Sequence, residues 1–383
     1  MRHSPGTTSD PISNRIMTTS RRHFLHIVAG GAAAAALPSS LLGQPADVTW
    51  HDVRDWGIEG KGWSDTTRYF DRLPARAEGV VRTPVWDLSR HSAGMAVRFS
   101  TDAPEIHIRY SLLSEQLALP IMPATGVSGV DLYAADAEGI ERWVAVTAPR
   151  TQTVETEIAS GLRPGMRRYT MYLPLYNGVE SLEIGVDTGA SFEPVAPRNQ
   201  RPMLFYGTSI MHGASASRPG MAIPALLGRR LNRPTINLGF SGNGRMEAEV
   251  GALLAELDPC IFAIDCLPNM QESMVDERAA PLVRQLREAH PETPILLVED
   301  RSFTNTRFFP AREERHRTNR NALGRAYRQL RDEGVEHLFY LQGEQLLGRD
   351  GEAATDGSHP SDLGMVRYAD AYEPALRAAL GQY

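Results

Sequence analysis

The sequence predicts an antiparallel β-sandwich of jelly-roll type over residues 47–197, followed by a three-layer α/β domain with a parallel sheet over residues 198–383. Three observations carry this. The chain has 383 residues, enough for about two domains with ample core. Its first part offers short period-two runs between turn signals and little helical periodicity, the mark of antiparallel strands. From Arg201 onward, short apolar runs alternate with amphipathic helical patterns, which implies a parallel sheet covered on both faces.

Ahead of both domains, residues 1–46 read as an export segment. Ser20-Arg21-Arg22-His23-Phe24-Leu25 precedes an apolar, Ala-rich stretch from Ile27 to Leu37, then small residues and Pro from Ser39 to Ala46. This is the layout of a twin-arginine signal, and its apolar core is too short to span a bilayer. Met17 is an alternative start, and no Cys follows the apolar run to carry a lipid anchor. The expected destination is the periplasm or the extracellular space, with no membrane attachment in the mature form. Cys260 and Cys266 are the only cysteines. Six positions apart within one apparent strand, they are too distant to bridge and read as small buried apolar residues. There is no disulfide framework and no Cys/His set for zinc. A net charge of −6 without a basic stripe excludes nucleic acid as an expected partner.

In the first domain the alternating runs are Ala96–Phe99, Ile106–Tyr110, Trp143–Val146, Tyr169–Leu173 and Leu182–Val186, punctuated by Asp136-Ala137-Glu138-Gly139 and Arg163-Pro164-Gly165. All five tryptophans, Trp50, Trp56, Trp63, Trp86 and Trp143, fall here. They read mainly as sandwich core, with stacking on sugar faces as the alternative. Phe192 to Pro202, with Pro194, Pro197 and Pro202, reads as a linker.

The second domain offers strands at Met203–Tyr206, Thr235–Leu238, Ile261–Asp265, Ile295–Val298 and His337–Leu341. Between them Met246, Val250, Leu253, Leu254 and Leu257 share one helical face, and Leu323, Ala326, Tyr327 and Leu330 share another, stopped at Gly334. A last helix carries Leu363, Val366, Tyr372 and Leu376.

The first of these strands climbs through Met203-Leu204-Phe205-Tyr206-Gly207-Thr208 to Ser209, before a small-residue loop and a helix of the type Pro219 to Leu231. Such a turn lies at the carboxyl edge of a parallel sheet, where ligands bind. Three later segments reach the same edge: Asn237 to Gly244, Asp265 to Met270, and Asp356-Gly357-Ser358-His359-Pro360. Singly, each is a turn sequence. In this order, each after its own element, they assemble a site. Acyl transfer needs a hydroxyl nucleophile (Ser209), a base near neutral pH (His359) and a carboxylate to orient it (Asp356). Donors for an oxyanion are the amides of Ser209 and Gly242 and the side chain of Asn269.

These blocks resemble the SGNH (GDSL-like) hydrolases, in which Ser, Gly, Asn and His of four blocks form the site. The resemblance assigns those roles to Ser209, Gly242, Asn269 and His359, with Asp356 completing the triad. Ala216 to Met221, Pro268-Asn269-Met270 and Val298-Glu299-Asp300-Arg301 are similar to a subgroup whose N-terminal sandwich is marked by Gly-x-Asp-Leu-Tyr, here Gly129-Val130-Asp131-Leu132-Tyr133. The subgroup includes carbohydrate acetyl esterases, and some relatives are acyltransferases. Leu267-Pro268-Asn269-Met270 departs from the common Gly-x-Asn-Asp, and Thr208 stands where Asp is usual. Met211 breaks Gly-x-Ser-x-Gly and argues against the nucleophile elbow of α/β-hydrolases.

His212, Arg218 and Glu299 are candidate substrate contacts, with capping and ion pairing as the other reading of Glu299. Glu313 to Arg317 reads as a solvated helix face. The implied activity is an exported serine esterase removing short acyl groups, acetyl first, from poly- or oligosaccharides, without metal or organic cofactor. The alternatives are an acyltransferase using the same serine and a carbohydrate-binding protein without catalysis.

Overall fold

The computed structural model describes residues 47–381, so the segment expected to direct export lies outside the described residues. The chain opens with strand β1 (Val48–Asp52) and an irregular stretch containing helix α1 (Thr83–Ser89). It continues through β2 (Ala96–Thr101), β3 (Ile106–Leu112), the single turn α2 (Ala124–Val127), β4 (Asp131–Ala135), β5 (Glu141–Val146), β6 (Thr153–Ala159), β7 (Arg167–Tyr172), β8 (Val179–Asp187) and β9 (Phe192–Val195). These strands form two antiparallel sheets, ordered β1-β8-β3-β6 and β5-β4-β7-β2-β9. Period-two patterning closes the sandwich: in β3, Ile106, Ile108, Tyr110 and Leu112 point inward to meet Val97, Phe99, Leu132 and Met171, while the residues between them face out.

Three sequence expectations change here. Phe192–Val195 is a strand, not linker; it pairs with β2 at the sheet edge, where Pro194 can sit without an N–H to give. Trp143, on edge strand β5, is half exposed. Trp63 and Trp86 are buried, but against the parallel sheet: the stretch between β1 and β2 leaves the sandwich and packs on Leu238, Leu253 and Leu257.

The second domain runs β10 (Met203–Gly207), α3 (Ser209–His212), α4 (Ile223–Arg230), β11 (Thr235–Gly239), α5 (Ala248–Leu254), β12 (Ile261–Asp265), α6 (Glu272–Ala289), β13 (Ile295–Val298), α7 (Pro310–Asp332), β14 (Leu338–Leu341) and α8 (Asp362–Ala379). All strand pairs are parallel, in the order β11-β10-β12-β13-β14. The core strands are buried on both faces, as their unbroken apolar runs require. One face packs on α5, α6 and α7, the other on α3, α4 and α8. In α8 the buried face is Met365, Tyr368, Ala369, Tyr372 and Leu376, while Leu363 is exposed in the first turn. The order reverses at β10, because the chain steps to β11 on one side and then crosses to β12 on the other. Connections diverge there and open a crevice at the carboxyl edge.

Candidate active site

Ser209 is the first residue of α3, capped by Thr208, whose hydroxyl accepts from the Ile210 amide. Close backbone packing fixes its height above the sheet. A Cβ on Gly239 would stand 2.1 Å from the His212 nitrogen, and one on Gly244 would stand 2.0 Å from the Gly207 carbonyl oxygen. Only glycine lets these two turns approach.

The Ser209 hydroxyl lies 2.9 Å from Nε2 of His359, and His359 Nδ1 lies 2.7 Å from Oδ2 of Asp356. The aspartate makes Nδ1 the protonated nitrogen and leaves Nε2 to accept from the serine. Asp356 Oδ1 accepts from the amides of Ser358, at 2.9 Å, and His359, at 2.8 Å. Burial pushes the Asp356 carboxyl up, but these amides and the imidazole outweigh it and hold it down at about 2.

Gly242 has φ of +70°, natural for glycine. Asn243 Nδ2 donates to the Ser241 carbonyl at 2.8 Å, and because a peptide is planar this also fixes the Gly242 N–H. Asn269 follows β12 in a 3₁₀ turn. Its Oδ1 accepts from the Gly244 amide at 3.3 Å, which ties the second block to the third and leaves Nδ2 as the side chain's donor.

The candidate substrate contacts are placed elsewhere. His212 is fully buried, stacked on Tyr176 with ring centroids 4.1 Å apart, and burial holds its imidazole neutral. Arg218 donates to Asp131 Oδ2 at 2.9 Å and to the Tyr133 hydroxyl, between the rings of Tyr133 and Trp143. Asp131 also accepts from the Gly220 amide and the Trp143 indole. The Gly-x-Asp-Leu-Tyr strand is thus a clasp on the loop after Ser209, and Arg218 is its counterpart. Glu299 accepts from Tyr340, at 2.7 Å, and from the Gly343 amide, at 2.8 Å, so both its oxygens hold β13 to β14.

Other residues at the site had no local sequence signal. Tyr176, from the sandwich, donates to the Ser209 carbonyl at 3.4 Å. Arg82 donates to Asn243 and Glu247, bracing the Gly242 turn from the stretch before the sandwich. Arg72, buried among carbonyls, donates to Asn237 and Gly239 at the end of β11. The helix run expected to be a solvated face is partly buried: His316 and Arg315 both bond Asp300. Among the described residues, the grouping with metal-ligand spacing, Glu105, His107 and Asp187, lies on the sandwich and takes no part in this arrangement.

Residues 200–377 match the GDSL-like Lipase/Acylhydrolase family, and residues 48–192 match the N-terminal domain of SGNH-hydrolase-type esterases, the GxDLY domain. A Bacteroides ovatus protein assigned as a GDSL-like lipase is 33% identical over 88% of this chain and 98% of its own, with a TM-score of 0.83. A salicylyl-acyltransferase from a tetracycline biosynthetic pathway is 18% identical, covering 89% of this chain and 96% of its own at a TM-score of 0.66. A family two carbohydrate esterase from Cellvibrio japonicus is 13% identical, covering 88% and 99% at 0.59. The last two share the fold. No curated protein matches in sequence. The chain therefore belongs to the GDSL-like lipase/acylhydrolase family, in the group that carries an N-terminal GxDLY domain.

Proposed function

We propose that this protein is an exported serine esterase that releases short acyl groups, acetyl first, from carbohydrate esters through an acyl-enzyme on Ser209. The observation that carries the reading is the unbroken line from Ser209 Oγ through His359 to Asp356, at 2.9 and 2.7 Å. As Oγ attacks the ester carbonyl, His359 Nε2 takes its proton, and Asp356, ionised down to about pH 2, stabilises the imidazolium. The carbonyl oxygen becomes an anion. The amides of Ser209 and Gly242 and Asn269 Nδ2 are its donors, each worth about 3–4 kcal/mol of barrier. Collapse expels the sugar hydroxyl, which leaves with the proton from His359. Water then repeats the sequence on the acyl-serine and releases the acid.

The carbohydrate assignment is supported by the fold shared with a family two carbohydrate esterase and by the export-type segment ahead of the sandwich. Acetate release from acetylated xylan, acetylated xyloglucan and a chromogenic acetate tests it, beside Ser209→Ala. Turnover by the wild type and loss of about 10³-fold or more in the variant are expected. A wild type that leaves every ester intact while binding a polysaccharide overturns the esterase reading. One that passes the acyl group to an added sugar in preference to water makes it a transferase.

A further inference from the structure

We infer that Asp300 and its two arginines form a positioning unit that sets the Asn269 turn and the His359 turn in one register. The inference rests on the esterase reading above. Asp300 lies just beyond β13 and is fully buried. Its carboxylate takes Arg301 on Oδ1, and Arg315 at 3.1 Å and His316 at 2.9 Å on Oδ2. Its main-chain oxygen accepts from Arg320 at 2.8 Å. A Cβ on Gly343 would stand 2.2 Å from that oxygen, so the turn is held from both sides.

What each arginine does with its remaining donors makes this more than an ion cluster. Arg301 donates from Nε to the Ser358 carbonyl, at 3.3 Å, and from its terminal nitrogen to the Ser358 hydroxyl. Arg315 donates to the carbonyls of Pro268, at 2.9 Å, and Met270, at 3.2 Å. One arm ends on the residue before His359; the other ends on both neighbours of Asn269. Asn319 adds a bond to Met270 at 3.0 Å from the same helix. The base and the oxyanion donor come from segments far apart in sequence, and this carboxylate is where their supports meet. Packed apolar side chains would stabilise a core as well as buried charges do. They would not supply forked donors of fixed geometry aimed at two backbones.

The test uses Arg301→Lys, Arg315→Lys and Asp300→Asn in the purified protein, with the exposed Arg317→Lys as control. Lysine keeps the charge on Asp300 but cannot also reach the second partner. With a chromogenic acetate, kcat is expected to fall about 10- to 100-fold in Arg301→Lys and Arg315→Lys, with KM within about twofold and the thermal midpoint close to wild type. The two arms separate by signature. Arg301→Lys shifts or broadens the downfield proton resonance of His359 Nδ1–H. Arg315→Lys leaves that resonance in place and weakens binding of a boronic acid that mimics the tetrahedral intermediate. Asp300→Asn does both, and adding either lysine to it costs less than about twofold more.

Ser358→Ala removes the hydroxyl end of one arm while leaving the Ser358 carbonyl and every ion pair intact, and is expected to reproduce part of the resonance change even if the charge variants fold poorly. Wild-type kcat and resonance in Arg301→Lys, Arg315→Lys and Ser358→Ala would overturn the inference and leave the esterase reading standing. A wild type inert on every ester would overturn the reading itself.

Discussion

His359 and His316 are each held through Nδ1 by an aspartate, at 2.7 Å from Asp356 and 2.9 Å from Asp300, in the same domain. Both carboxyls are held at about 2 against the upward push of burial: Asp356 by backbone amides and its imidazole, Asp300 by Arg301, His316 and Arg315. The difference lies at the far nitrogen. Nε2 of His359 meets the Ser209 hydroxyl, and its ring is partly open to solvent. Nε2 of His316 accepts from the Phe303 amide at 3.2 Å, and its ring is buried edge-on against Phe303. An amide does not yield its proton to an imidazole, whereas an attacking hydroxyl does. An aspartate–histidine bond therefore orients a ring without making it a base. What stands at the distal nitrogen decides.

Exchanging the two histidines for glutamine gives the largest contrast. His359→Gln is expected to lose on the order of 10³–10⁴-fold in kcat/KM, since no general base remains. His316→Gln can still donate to Asp300 and accept from Phe303, and is expected to stay within about tenfold of wild type. The rate at which a fluorophosphonate labels Ser209 should follow the same order. Loss of labelling in His316→Gln with labelling intact in His359→Gln would invert the comparison.

Much of this arrangement was legible in the sequence because the site is built from local patterns. The parallel strands are short apolar runs, each followed by a turn whose small or polar residues stand where the sheet edge needs them. Ser209, Gly242, Asn269, Asp356 and His359 could be picked out that way, and the structure brings Ser209, His359 and Asp356 into one hydrogen-bonded line. What could not be read is long-range partnership. Arg218 looked free to hold substrate because its partners, Asp131 and Tyr133, lie far upstream on another domain. The run from Glu313 to Arg317 looked solvated because its charge pattern does not reveal that His316 faces a buried carboxylate. Phe192–Val195 looked like linker because Pro194 hides a strand that exists only as the edge partner of β2. Trp63 and Trp86 were placed in the right half of the chain and against the wrong sheet. Burial by a distant element leaves no periodicity of its own.

Another buried aspartate shows what Asp300 would be without its cations. Asp265 ends β12, the neighbouring strand, and is also fully buried. It has one donor, the Tyr372 hydroxyl at 2.5 Å, and its Oδ1 has none. Burial pushes its carboxyl up to about 7 from an ordinary 3.8, with Tyr372 and Arg301 only partly offsetting. The folded state thus binds this proton more tightly than the unfolded chain, and the stability this group contributes falls as pH rises from about 4 towards about 7. The full shift corresponds to about 4 kcal/mol at most. Asp300 has the opposite sign: its contribution is present above the ordinary carboxylate range and is lost as pH falls towards about 2. Urea unfolding at pH 5 and pH 8 reads this as the difference between wild type and Asp265→Asn, because the buried neutral His91 and His212 raise the stability of both proteins alike over that range; relative to the variant, the wild type is expected to lose stability between pH 5 and pH 8. A difference between wild type and variant that is the same at both would show that Asp265 is ionised throughout.

The smallest effect separates what His316 contributes as a ring from what it contributes as two hydrogen bonds. His316→Ala leaves the Phe303 amide without its acceptor and takes one donor from Asp300, a loss of about 2–3 kcal/mol of unfolding free energy. His316→Gln restores both bonds and forfeits only the edge-on packing with Phe303, about 1 kcal/mol. Denaturant unfolding of the two variants reads the difference. If glutamine costs as much as alanine, the ring and its packing are the support and the hydrogen bonds are incidental. If glutamine is near wild type, His316 serves Asp300 as a donor of the right reach. The contrast with His359 then reduces to one atom, because glutamine can supply every bond His316 makes and cannot supply the proton acceptor that Ser209 requires.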